Sequence, residues 1–152
     1  MSIRNKRLFK EQMRTDMYEI YWPADWSLQD KVILKCMRKD ILLTLNITMD
    51  YPFQYPKMLI ENIDYIQWVL NKKAKFNDLH RLFNINTPCI CCDTITCKWS
   101  PAFGIADMIK EFDKYYSYIH IVEKFKIIYK KINGFDDLIY QNILYFLCLH
   151  NI

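Results

Sequence analysis

Glycine is almost missing from this chain: of 152 residues, only Gly104 and Gly134 lack a side chain. Few positions can then take left-handed backbone cheaply, so connections are expected to be short or carried by Asn, Asp and Pro. Long apolar runs are missing too. The longest stretch, 138–149, is interrupted by Gln141 and Asn142 and falls well short of the ~20 residues that a helical membrane span needs. It reads as a buried C-terminal helix rather than a tail anchor, and no membrane partner is expected. No apolar run follows Arg4, Lys6 and Arg7, so no secretory signal is expected. Cys148 stands fifth from the end and does not fit a prenylation pattern. A large excess of one charge is also absent: 21 Lys and Arg against 17 Asp and Glu leave +4. That is too little to argue nucleic-acid binding without a clustered patch. There is no internal repeat, low-complexity segment or linker.

The composition is 52% hydrophobic, enough in 152 residues for one domain, 1–152, with a proper core. Six cysteines without an export signal point to thiols in a reducing compartment. The cytoplasm is the expected location, extended to the nucleus, or to a host's cytoplasm for a viral genome. The abundance of Ile, Asn, Lys and Tyr resembles the output of an AT-biased coding genome and says nothing of mechanism.

Periodicity divides the chain. Over 3–17, Phe9, Met13 and Met17, then Ile20, fall at helical spacing, with Arg7, Lys10 and Arg14 as a basic stripe on another face. Residues 18–22 suit a first strand ended by Pro23, and 31–37 and 41–49 suit two more. Leu43, Leu45, Ile47 and Met49 alternate with polar or outer positions, the half-buried pattern. Arg38-Lys39-Asp40 suggests a tight hairpin without the favoured Asn-Gly or Asp-Gly turn. Residues 58–63 read as a fourth strand, 64–82 as a helical segment and 84–96 as loop. Ser100 suits a helix cap and Pro101 the first helical position. Ala102, Ile105, Ala106, Ile109, Phe112 and Tyr116 then form one apolar face. Further helices are expected over 121–132, stopped by Asn133-Gly134, and over 136–150. The fold class is α+β: an N-terminal helix, an antiparallel meander of about four strands, and C-terminal helices.

Two segments stand out by their order and spacing. Tyr51-Pro52-Phe53-Gln54-Tyr55-Pro56-Lys57 follows the strand pair. Ile90-Cys91-Cys92-Asp93 precedes Trp99-Ser100-Pro101-Ala102, with Trp99 eight residues after Cys91. Together they resemble the ubiquitin-conjugating enzyme family. There a strand pair leads into Tyr-Pro-Phe-x-Pro-Pro-Lys, and the catalytic thiol appears in Ile-Cys-Leu-Asp. A Trp-Ser-Pro-Ala then follows at the same spacing. The likeness is specific across 50–58 and 84–109.

The resemblance implies a thioester carrier with Cys91 as nucleophile, a task for which sulfur suits as both nucleophile and leaving group, with no metal or cofactor. Each transfer passes through an oxyanion that needs a fixed donor. In the family that donor is the asparagine of a His-Pro-Asn motif. The nearest match here is Asn84, seven residues before Cys91 and one fewer than usual, with Asn86 as the fallback. Phe53, Pro101 and Ala102 correspond to the apolar patch that ligases grip. Arg7, Lys10 and Arg14 correspond to the face shown to the activating enzyme, and otherwise read as a solvated helix face. The implied partners are ubiquitin or a ubiquitin-like protein, the activating enzyme, a ligase and a protein substrate.

Three departures stand beside the match. The family's Gly-rich turn between the second and third strands is missing. About twenty residues, 64–82, are inserted where relatives have a short link. The acidic, proline-rich segment after the central helix is replaced by Asp113-Lys114-Tyr115-Tyr116-Ser117-Tyr118, leaving Asp113 a candidate acid by proximity alone. The altered asparagine loop and the missing acidic segment motivate an alternative, a non-catalytic scaffold of the same fold that binds ubiquitin or a conjugating enzyme. A small zinc site from Cys89, Cys91, Cys92, Cys97 and His80 is a weaker one, because the cluster supplies a single close pair.

Overall fold

The computed structural model describes residues 1–72, 90–131, 139, 142, 143 and 145–147. Helix α1 spans Ile3–Arg14, its first turn capped by Ser2, whose side chain accepts from the Asn5 amide. A 3-10 turn, Asp16–Tyr18, follows, and a second covers Trp26–Leu28. Strands β1 (Val32–Arg38), β2 (Ile41–Ile47), β3 (Lys57–Ile60) and β4 (Ile63–Asp64) form one antiparallel sheet in chain order. Helix α2 is Tyr65–Asn71, the short helix α3 is Ile90–Asp93, and the long helix α4 is Ile105–Lys131. Residues 139, 142, 143 and 145–147 are also helical, and Ile143 and Leu147 pack against the core. The chain is therefore an α+β fold with an N-terminal helix, a four-stranded antiparallel sheet and helices after it.

The alternation in β1 and β2 sends Val32, Leu34, Cys36, Leu43, Leu45 and Ile47 to one face. Met58 and Ile60 of β3 join them, and Ile105, Met108, Ile109, Phe112, Ile119 and Val122 of α4 belong to the same core. Burial pushes the Cys36 thiol up to about 11, so it is an inert apolar filler. No helix among the described residues is long and apolar enough to cross a membrane.

Several expectations change. Residues 18–22 do not form a strand: Tyr21 makes one isolated bridge to Lys35, and Tyr18 closes the 3-10 turn. The expected strand over 58–63 is split by a two-residue turn at Glu61-Asn62, and β4 is its return arm. The helices expected on either side of residue 120 are one helix, because nothing between Asp113 and Ile121 is Pro or Gly. The stop at Asn133-Gly134 lies outside the described residues. So do the later part of the 64–82 segment and Cys148.

The largest change concerns α1. Its inward face is Arg4, Leu8 and Glu11, while Phe9 and Met13 point to solvent. The Arg4 guanidinium donates to the Gln29 and Asp30 carbonyls at 2.6 and 2.7 Å, and Asn5 donates to Ser27 O at 2.7 Å. The helix is thus fixed largely by polar contacts, which apolar periodicity does not register.

With so little glycine, side chains occupy the left-handed turn positions. Lys39 and Asp40 between β1 and β2 have φ of 52° and 62°, and Glu61 and Asn62 have φ of 47° and 72°. Positive φ at both central residues is what a two-residue hairpin of matching twist requires. Each non-glycine residue there is strained. Replacing exposed Lys39-Asp40 by Asn-Gly should therefore stabilise the fold by about 1 kcal/mol. The check is a urea midpoint that rises at unchanged slope.

Candidate functional site

The two motif segments meet through Trp99. Its indole Nε1 donates to Pro52 O at 2.8 Å, and its ring lies 6.2 Å from Tyr51, 6.4 Å from Tyr55 and 6.2 Å from Phe103. On the Pro52 side the chain turns sharply, because the Phe53 and Gln54 amides both donate to Asp50 O. Buried Tyr51 anchors this turn, while Phe53 beyond it remains 66% exposed. On the Trp99 side, Pro101 and Ala102 are exposed in a turn closed by the Phe103 amide on Ser100 O. One hydrogen bond thus holds together the loops carrying Phe53, Pro101 and Ala102. The Ser100-Pro101 pair does not start the helix as expected. Gly104 caps α4 instead, its amide donating to Asp107 Oδ2 at 2.8 Å.

Beneath these loops lies a buried carboxylate. Glu11 of α1 is 1% exposed. It accepts from Arg7 Nε at 2.7 Å and from the Tyr51 hydroxyl at 3.2 Å. Arg7 also donates to Phe103 O at 2.9 Å, so one helix grips both motif segments. Burial and the Glu11 charge push the Tyr51 phenol up, keeping it a hydrogen donor. Gly104 makes room: a Cβ there would stand 2.6 Å from Glu11 Oε2. Of the three basic residues expected on the outer face, Arg7 is turned into this knot, whereas Lys10 and Arg14 are exposed.

Cys91 is partly exposed on α3, and Cys92 and Cys97 are more so. The turn after it is buried: Thr94 accepts no solvent, its hydroxyl donating to Cys91 O at 2.6 Å and pairing with the Thr96 hydroxyl at 2.8 Å. A second acid clamps this turn. Glu111 of α4 accepts from the Ile95 amide at 2.8 Å and from the Tyr65 hydroxyl of α2 at 2.6 Å. Burial pushes the Glu111 carboxyl up, the two hydrogen bonds pull it back, and the nearby Asp93 charge raises it further. Sequence reading passed over Glu111. The signal was an acid three residues after buried Met108 and four before buried Tyr115, within the inward stripe.

Asp113 is committed elsewhere: it pairs with Arg38, whose guanidinium lies 5.2 Å from the Tyr18 ring centroid. Asp93 pairs with Lys98. Asn84, Asn86, His80 and Cys89 lie outside the described residues. Among the described residues, no group of three or more His, Cys, Asp or Glu is placed to hold a metal. An open groove of about 680 Å³ runs beside the motif loops, lined by Phe53, Tyr55, Lys57, Asp64, Cys97 and Trp99. Its lining thiol is Cys97, not Cys91. The arrangement offers a partly exposed thiol on a short helix, a buried turn behind it, and exposed apolar residues on two tied loops.

Two outcomes follow. Gly104→Ala should destabilise the fold by about 1–3 kcal/mol, because the added methyl displaces a carboxylate that has no other room; urea unfolding measures it. For Glu111, the folded carboxyl is raised above its ordinary value of 4.5. Its contribution is then fully present below that value and is lost as pH rises through the raised one. Wild type should lose stability relative to Glu111→Gln between about pH 3.5 and pH 8, read by urea melts at both ends (about one pH unit below and several above the ordinary carboxyl).

No family model matches the chain, and no curated protein or solved structure matches it either.

Proposed function

We propose that the chain is a divergent ubiquitin-conjugating enzyme carrying ubiquitin, or a ubiquitin-like protein, as a thioester on Cys91. The observation that supports this reading most is the Trp99–Pro52 hydrogen bond. It joins the two segments on which the resemblance rests and leaves Phe53, Pro101 and Ala102 exposed together.

In this reading the Cys91 thiolate attacks the thioester carbonyl carbon held by the activating enzyme. A new carbon–sulfur bond forms and the activating enzyme's thiolate leaves. A substrate lysine amine then attacks the new carbonyl, Cys91 sulfur departs as thiolate, and the amine proton passes to a base. Asn84 steadies the oxyanion in both steps. Phe53, Pro101 and Ala102 receive the ligase, and Lys10 and Arg14 face the activating enzyme. Arg7 supports that helix from inside by holding Glu11. Glu111 and Tyr65 keep the turn after Cys91 in place, a task of positioning rather than of chemistry. The chemistry needs no metal or cofactor.

The test is incubation with activating enzyme, ubiquitin and ATP, followed by a non-reducing gel. A thiol-sensitive adduct that is lost in Cys91→Ala and kept in Cys92→Ala and Cys97→Ala is the expected result. An adduct persisting in Cys91→Ala moves the nucleophile elsewhere. Binding to ubiquitin with no adduct under any condition replaces the carrier by a non-catalytic scaffold.

A further inference from the structure

Helix α1 carries two parallel rows on its outward side. One is apolar, Phe9 and Met13, continued by Met17 in the following 3-10 turn, at 56%, 74% and 76% exposure. The other is basic, Lys6, Lys10 and Arg14, all exposed. Both rows advance by four residues, and each basic residue lies three before an apolar one, so the rows run side by side along the helix. The only acid in α1 is Glu11, which is buried on the opposite side, so the outward face holds no carboxylate. The next exposed one along the chain, Asp16, lies beyond the last helical residue, and Asp25 and Asp30, also exposed, stand on either side of Leu28.

Such a face is unusual, since apolar side chains at helical spacing ordinarily turn toward the core. Here the inward positions are taken by Arg4, which donates to the Asp30 carbonyl, and Glu11, which accepts from the Tyr51 hydroxyl. The apolar row is thus left outside by the way the helix is fixed. The apolar surface also extends past the helix. Leu28, 83% exposed, follows Ser27, whose carbonyl receives the Asn5 side chain one turn before Phe9. Ile3 is exposed as well.

We infer that this face binds an anionic lipid bilayer surface, with α1 lying in the plane of the headgroups. The apolar row enters the headgroup–acyl boundary, and the Lys and Arg stems lie along it while their charges reach lipid phosphates and carboxylates. Charge complementarity selects an anionic surface. Apolar side chains presented on two separate elements, α1 and the Trp26–Leu28 turn, suit a broad partner better than a narrow one. The lack of a long apolar run, on which the expectation of no membrane partner rested, does not bear on a helix that lies on the surface. This inference does not rest on the proposed transfer activity. Lys10 and Arg14 serve in both, so a bound bilayer and a bound activating enzyme exclude each other.

The experiment is co-sedimentation of the full chain with vesicles of phosphatidylcholine alone and of phosphatidylcholine with roughly one-third phosphatidylserine, an anionic leaflet. Wild type should partition onto the anionic vesicles and not onto the neutral ones, and added salt should release it. Lys6→Gln with Lys10→Gln should weaken partition about 30-fold. Phe9→Ser with Met13→Ser should abolish it. Because all four side chains are exposed, circular dichroism melts should match wild type. Binding undiminished in both double variants overturns the inference. So does failure of wild type to bind either vesicle, which leaves an acidic groove on a protein as the occupant of this face. Since no activating enzyme is present, neither result depends on whether Cys91 is charged.

Discussion

The buried carboxylate of Glu11 is the constraint on which the rest depends. A charge removed from water is costly unless it is paired and hydrogen-bonded. Here it is paired with Arg7 and bonded to Tyr51, and Gly104 leaves the space it fills. Arg7 extends the knot to Phe103. The two loops that carry the candidate patch are therefore located by two side chains of one helix far away in sequence, Glu11 at Tyr51 and Arg7 at Phe103. Removing any partner leaves the others buried and unsatisfied, so the knot favours one arrangement over its neighbours more than it adds net stability.

That constraint also decides the character of α1. A helix held by Arg4, Arg7 and Glu11 has little inward room for apolar side chains, and Leu8 is the one apolar residue of α1 buried there. Phe9 and Met13 face water as a result. The surface of apolar and basic rows is a by-product of polar anchoring.

Glu111 repeats the device on the other side of the site. It ties the turn after Cys91 to α4 and, through Tyr65, to α2, which opens the 64–82 segment. That helix is part of the core: Tyr65, Trp68 and Val69 are buried, and the Trp68 ring lies 5.5 Å from that of Phe112. Two acids placed among apolar residues hold the two halves of the candidate site, one under the patch and one behind the thiol.

Much of this was legible beforehand where the cause is local. Alternation in 41–47 places Leu43, Leu45 and Ile47 on the buried face, because a strand's period of two is a property of its own backbone. The segments around Phe53 and Trp99 were visible as motifs, since their spacing is linear in the chain. Neither the orientation of α1 nor the role of Glu111 was visible. Both acids depend on partners far along the chain, Tyr51 for Glu11 and Tyr65 for Glu111, 40 and 46 residues away, and no count of local apolar positions contains them. By itself, then, the sequence determined the α+β order of elements, the paired β1 and β2, and the identity of the thiol and aromatic segments. Tertiary structure alone decided which face of α1 is buried, that Arg7 points inward while Lys10 and Arg14 do not, and which acid supports Cys91. The physical reason is that burial of a charge is settled by long-range hydrogen bonds, whereas helix and strand periods are settled by neighbouring residues.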